Sequence, residues 1–240
     1  MNEIRLWLWL CGFFCLSGCT FLVEGYEKIT VTPLDREDDA EQTLNVEGVC
    51  DCSDEQKRCE KDFVYLWGTS LEMTESIIED CSISSQVVGI RFPGVNIQKD
   101  SDIHSAYIQF TAAEDNYKTT NLEIVVQDTS DPARFDEEES KDITQRVVCS
   151  TNVIWEVDQW VQKCDKKAAQ QTPDLKELVQ HIVSLPDWKN GNPIAFIIKG
   201  SGKRVAFAFD CTVSVSYDCE EEAACLHDLA PELIIEYSPP

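Results

Sequence analysis

Carboxylates are the side chains with chemistry to offer, and they come in runs. Asp38, Asp39 and Glu41 lie within four positions of one another. Asp136, Glu137, Glu138 and Glu139 are consecutive, with Asp142 close behind, and Glu220, Glu221 and Glu222 form a third run. Hard oxygen donors suit Ca²⁺, which takes six to eight oxygens from flexible carboxylates and carbonyls. No run has the alternating acidic spacing and central glycine of an EF-hand loop. The expectation is therefore several weak sites, with affinities of roughly 10⁻⁴–10⁻³ M, or a layer of Ca²⁺ at a mineral face. The competing reading of each run is a solvated surface that keeps the chain soluble.

Other chemistry is poorly represented. His104, His181 and His227 are scattered, and the sequence holds no nucleophile elbow, zinc-protease helix or phosphate loop. Carboxylates are too abundant for counting to single out a glycosidase pair. The chain is read as a non-enzyme. Trp67, Trp155, Trp160 and Trp188 are the residues that could stack on a sugar. Trp155 sits in an apolar run and is assigned to the core, while Trp160 and Trp188 are the better candidates for exposure.

The charge supports this narrowing. Over 240 residues, 44 Asp and Glu face 20 Lys and Arg, a formal net charge of −24. Nucleic acid is excluded as a partner, because phosphate binding is driven by basic side chains displacing counterions. Cations, mineral surfaces and basic proteins remain. With 43% apolar residues and 12 cysteines, the chain has the material for a packed domain.

Arg5 and the apolar run Leu6–Val23 read as a secretory signal peptide over residues 1–25, cleaved near Gly25. A membrane anchor is the rival, since the run sits at the lower edge of spanning length. A lipid on Cys19, after Leu16-Ser17-Gly18, is another. Export implies disulfides. Beyond residue 25 the cysteines fall into three groups: Cys50, Cys52, Cys59 and Cys81; Cys149 and Cys164; Cys211, Cys219 and Cys225. The first two groups are even and can close on themselves, so the odd thiol is placed in the third. A zinc site at Cys50–Cys59 matches no common ligand spacing.

The elements that must position these side chains are short strands. Apolar or alternating runs recur at Val87–Phe92, Ile103–Thr111, Leu122–Gln127, Val153–Val157, Ile194–Lys199, Arg204–Phe209 and Leu233–Tyr237. Gly200-Ser201-Gly202-Lys203 reads as a hairpin-like connection. One helix interrupts the pattern over about residues 173–185. Thr172 is its expected cap and Pro173 its first turn, and Leu175, Leu178, Val179, Ile182 and Val183 form its apolar stripe. The fold class is all-β: a jelly-roll sandwich with one packed helix and disulfides.

Val87–Phe92, Ile103–Thr111, Trp155, the Thr172-Pro173-Asp174-Leu175 helix start, Gly200-Ser201-Gly202 before Arg204-Val205-Ala206, and Pro231-Glu232-Leu233 keep the order seen in extracellular jelly-roll modules, which resemble carbohydrate-binding sandwiches. Upstream, Asp38–Glu41 and Ser70–Met73 look like the first strands of the same module. The likeness spans roughly residues 30–238. It implies one acidic domain over residues 26–240, with cysteine-bearing insertions at about 50–59 and 211–225, and a structural ion on Asp38 and Asp39. A small, acidic, cysteine-rich form is similar to the acidic skeletal organic matrix proteins of stony corals. The implied role is a secreted extracellular matrix component that engages Ca²⁺ or carbonate mineral. Matrix proteins and polysaccharide are further partners, and no membrane is involved after signal cleavage. The alternative is a carbohydrate-binding module.

Overall fold

The structure is a computed structural model that describes residues 26–48, 61–78, 81–210 and 229–240. Its strands are β1 (Glu27–Val31), β2 (Asp39–Gly48), β3 (Val64–Tyr65), β4 (Ser70–Met73), β5 (Ser76–Ile78), β6 (Cys81–Phe92), β7 (Asp102–Gln109), β8 (Thr120–Val126), β9 (Val153–Val157), β10 (Ile194–Ser201), β11 (Arg204–Phe207) and β12 (Glu232–Ser238), with one helix, α1 (Lys176–Val183). All pairings are antiparallel. The large sheet runs β3-β2-β6-β10-β8-β9, with β5 also on β6. A three-stranded sheet runs β1-β12-β7, and β11 pairs with β4. This is the all-β sandwich the sequence pattern calls for.

Alternation explains the layers. Val88, Ile90 and Phe92 of β6, Leu122, Ile124 and Val126 of β8, and Ile194, Phe196 and Ile198 of β10 point inward. They meet Ile103, Ala106 and Ile108 of β7, Leu233 and Ile235 of β12, and the stripe of α1. The intervening residues Val87, Val125 and Ile197 point the other way and make a second, smaller core with Ala40, Phe135 and Ile143. An excursion over residues 128–148 covers that outer face. Its anchor is Phe135, whose ring lies where Gly89 has no side chain: a Cβ added at Gly89 would sit 2.5 Å from Phe135 Cζ. Gln42 holds the same excursion, its Oε1 accepting from Ile143 N at 3.2 Å and from Thr144 N at 2.9 Å.

Two expected details differ. Residues 200–203 do not close a hairpin. β10 lies in the large sheet between β6 and β8, whereas β11 pairs with β4, so the turn passes the chain from one sheet to another. Gly202 (φ 96°) permits the crossing, since a Cβ there would lie 2.4 Å from Thr119 O. The helix starts at Lys176, and Thr172 does not cap it. Thr172 Oγ1 instead accepts from Ile108 N at 3.0 Å, and Asp174 Oδ1 accepts from Ala106 N and Lys176 N at 3.0 Å each. These side chains serve the edge of β7.

Arg204 is fully buried with carbonyls as its main acceptors: Val157 and Asp158 on one side, Lys118 and Lys203 on the other, plus Thr120 Oγ1. Burial lowers its pKa. The guanidinium ties the ends of β8 and β9 to β11.

Candidate functional site

The first acidic run is not a surface feature. Asp38, Asp39 and Glu41 are 0%, 2% and 4% exposed. The short 3-10 turn Arg36–Asp38 delivers Asp38 to the outer face of the large sheet, where its Oδ1 meets Arg91 Nη1 at 2.5 Å and its Oδ2 accepts from Leu34 N at 3.1 Å. Asp39 and Glu41 follow on the inward-facing positions of β2, opposite Ile90 and Val88. Asp39 Oδ2 accepts from Phe209 N at 2.7 Å. Burial pushes the Asp39 carboxyl up to about 8, with Asp210 and Asp38 adding repulsion against the lowering effect of that amide. Glu41 Oε1 accepts from Glu72 N at 2.5 Å and Gln86 Nε2 at 3.1 Å, joining β2, β4 and β6. The expectation of exposed cation ligands here is corrected: these carboxylates satisfy buried donors inside the sandwich.

The second run is a surface feature. Asp136–Glu139 lies on the excursion just after the Phe135 anchor. Asp142 Oδ2 accepts from Asp136 N at 3.1 Å, and Asp136 Oδ1 from Glu138 N at 2.9 Å. Arg146 braces the turn. Its Nη2 lies 2.7 Å from Asp142 Oδ2, its Nη1 donates to Ala133 O, and its guanidinium sits 4.2 Å over the Phe135 ring. Glu137 Oε2 accepts from Trp67 Nε1 at 2.8 Å. Asp136, Glu138 and Glu139 remain exposed. A depression of about 300 Å³ opens beside them, lined by Glu139, Ser140, Asp142, Gln145 and Arg146. Among the described residues, no three His, Cys, Asp or Glu side chains are grouped to hold one metal ion.

Pairing of basic groups sharpens the negative surface. Lys28, Lys118, Arg134, Lys141, Lys166, Lys199 and Lys203 lie against Glu236, Glu75, Asp35 with Glu37, Asp62, Glu232, Glu123 and Glu114 respectively. Asp100, Asp131, Glu138, Glu139, Glu156 and Asp187 are exposed and have no ion-pair partner among the described residues.

The tryptophans divide differently from expectation. Trp155 is in the core, stacked on Phe110 with centroids 5.9 Å apart. Trp160 and Trp188, expected at the surface, are buried, their Nε1 groups donating to Ala169 O and Ile97 O at 2.9 and 3.0 Å. Trp67 alone of these four is exposed, at 51%, with Arg36 3.7 Å over its ring. Nothing in its local sequence distinguishes it, because the groups that fix it come from distant loops.

His104 lies beside Ser238 Oγ at 2.7 Å, and His181 beside Asp128 Oδ1 at 2.7 Å, on separate elements. Cys149 is a buried free thiol and Cys164 is disulfide-bonded, so these two do not close on each other as expected. Cys149 lies in the main core, its backbone N–H donating to Val126 O at the end of β8, where apolar burial suits a thiol. Cys50, Cys52, Cys59, Cys211, Cys219 and Cys225, the run Glu220–Glu222, His227 and the segment 1–25 lie outside the described residues, as does the side chain of Cys81. Among the described residues, no helix is long and apolar enough to cross a membrane. No protein-family model matches the chain, and no curated protein matches it at a significant level.

Proposed function

We propose that the chain is a secreted acidic component of an extracellular, calcified matrix, which gathers Ca²⁺ or meets carbonate mineral through exposed carboxylates on a rigid sandwich. The observation that carries this reading is the surface left by pairing: most described basic side chains are matched to carboxylates, which leaves exposed acids such as Asp136, Glu138 and Glu139 without an ion-pair partner among the described residues, in a chain of net charge −24. The mechanism is electrostatic concentration of cations, without covalent chemistry. The excursion holds its carboxylates on Phe135 and Gln42, so the negative patch does not need ordering by the ion. Buried Asp38, Asp39 and Glu41 shape the sandwich and take no part. Equilibrium dialysis of Ca²⁺ against the oxidised protein tests this. Several sites in the range of roughly 10⁻⁴–10⁻³ M support it, and no binding up to about 10 mM refutes it.

A second reading is favoured by one observation only. Trp67 presents an exposed ring fixed by Arg36 and Glu137, as a sugar-stacking residue would be. Retention on a polysaccharide column that Trp67→Ala abolishes would favour it.

A further inference from the structure

The two edges of the three-stranded sheet are finished differently. At the β7 edge the chain closes the outward amides one after another. Thr172 Oγ1 accepts from Ile108 N, Asp174 Oδ1 from Ala106 N, and Gln180 Oε1 from Ile103 N, at 3.0, 3.0 and 2.9 Å. Backbone bonds from Phe110 N to Gln170 O, Thr172 N to Ile108 O and Leu175 N to Ala106 O fill the gaps. An edge closed in this way cannot template another strand. β1, at the opposite edge, pairs with β12 alone, and no hydrogen bond from the described residues reaches its outward backbone.

Beside that open edge runs a groove of about 330 Å³. Residues 29–32 form one side, Pro93, Gly94 and Asn96 the other, and Leu34, 67% exposed, sits at one end. Residues 29–32, three of them in β1, span about 13 Å at about 3.3 Å each, the length of an extended tetrapeptide. Glu27 lies two residues beyond the Ile29 end. Its Oε2 accepts from Tyr237 OH at 2.6 Å, and that hydroxyl also lies 3.4 Å from Asn96 O on the far wall. Asp35 follows Leu34 and shares Arg134 with Glu37, two carboxylates to one guanidinium, so the groove keeps net negative charge near both ends.

We infer that the β1 edge is a docking site for an extended segment of a cationic protein, which adds to the sheet as a fourth strand. Backbone hydrogen bonds to β1 supply the register, an apolar side chain fits against Leu34 and Pro93, and basic side chains face Glu27 and Asp35. Pairing with a second copy is opposed by a charge of −24 on each chain, and Lys28 of β1 is held by Glu236, so it does not repel a basic segment. The inference is independent of Ca²⁺ binding.

The test uses the secreted, oxidised protein and a short acetylated, amidated peptide of alternating lysine and valine. Binding is measured by calorimetry, and backbone hydrogen exchange follows residue by residue. Wild-type protein is expected to bind the peptide with exchange slowed at residues 27–32. A fully N-methylated peptide, which keeps every charge but donates no backbone hydrogen bond, is expected to bind about tenfold more weakly or worse. Asn96→Lys and Leu34→Lys, both at exposed positions, should weaken binding about tenfold while leaving the melting temperature unchanged. The inference is overturned if methylation or these substitutions leave affinity intact, if the slowed amides lie around residues 131–142 instead, or if a soluble polysaccharide and not the peptide protects residues 27–32.

Discussion

Asp38–Glu41 and Asp136–Glu139 are nearly the same in composition and opposite in fate. The first run enters a strand whose two faces are both covered, so each carboxylate has to meet a donor: Arg91, the Phe209 amide, or Gln86 with the Glu72 amide. The second follows an apolar anchor on the solvent side of the outer layer, where Asp136, Glu138 and Glu139 stay in water and Glu137 bonds Trp67. Charge density alone therefore does not mark a cation-binding surface; the cover over the strand decides.

The contrast can be broken most forcefully at Asp38. Asp38→Ala leaves the mostly buried Arg91 guanidinium without its counterion and should lower stability by about 3–5 kcal/mol in urea unfolding. Asp39 gives a pH signature of its own. Its carboxyl holds a proton up to about pH 8 in the native state, against an ordinary value near 3.8 when unfolded. Between these values the unfolded chain binds fewer protons, so stability falls as pH rises through the window, on the order of 1 kcal/mol per pH unit. Asp39→Asn should remove that slope, with the gain read at the alkaline end.

Gly89→Ala sharpens the comparison from the other side. The added methyl displaces Phe135, which should cost about 1–3 kcal/mol and speed proteolytic cleavage within residues 128–148. Asp174→Ala strands the Ala106 amide at the β7 edge and should cost about 1–2 kcal/mol in the same unfolding assay. Smallest of all, Glu138→Gln with Glu139→Gln should change stability by less than about 0.5 kcal/mol.

Most of the strand pattern was legible because alternation is local. Val153–Val157 coincides with β9, and Ile194, Arg204 and Leu233 fall at or within one residue of the starts of β10, β11 and β12. The apolar stripe of α1 was equally legible. What was not legible depends on partners distant in sequence. Gly200–Lys203 has the residues of a hairpin, but the choice between sheets is made by β4 and β6. Thr172 carries a helix-start signature, yet its oxygen takes the Ile108 amide of β7, and Asp174 divides its Oδ1 between the Ala106 amide and Lys176 N at the helix start. The acidic runs looked alike because burial of Asp38, Asp39 and Glu41 is imposed by the layers on both sides of β2. Trp160 and Trp188 went inward for the same kind of reason: each found a carbonyl for its indole N–H.

The central claim is that exposed carboxylates, and not the buried ones, gather Ca²⁺. Titrating Ca²⁺ into wild-type protein, the Asp136→Asn, Glu138→Gln, Glu139→Gln triple variant and Asp39→Asn decides it. The account predicts fewer weak sites in the triple variant and an unchanged isotherm in Asp39→Asn. An unchanged triple variant, or Ca²⁺ binding lost in Asp39→Asn while the fold is retained, would contradict it.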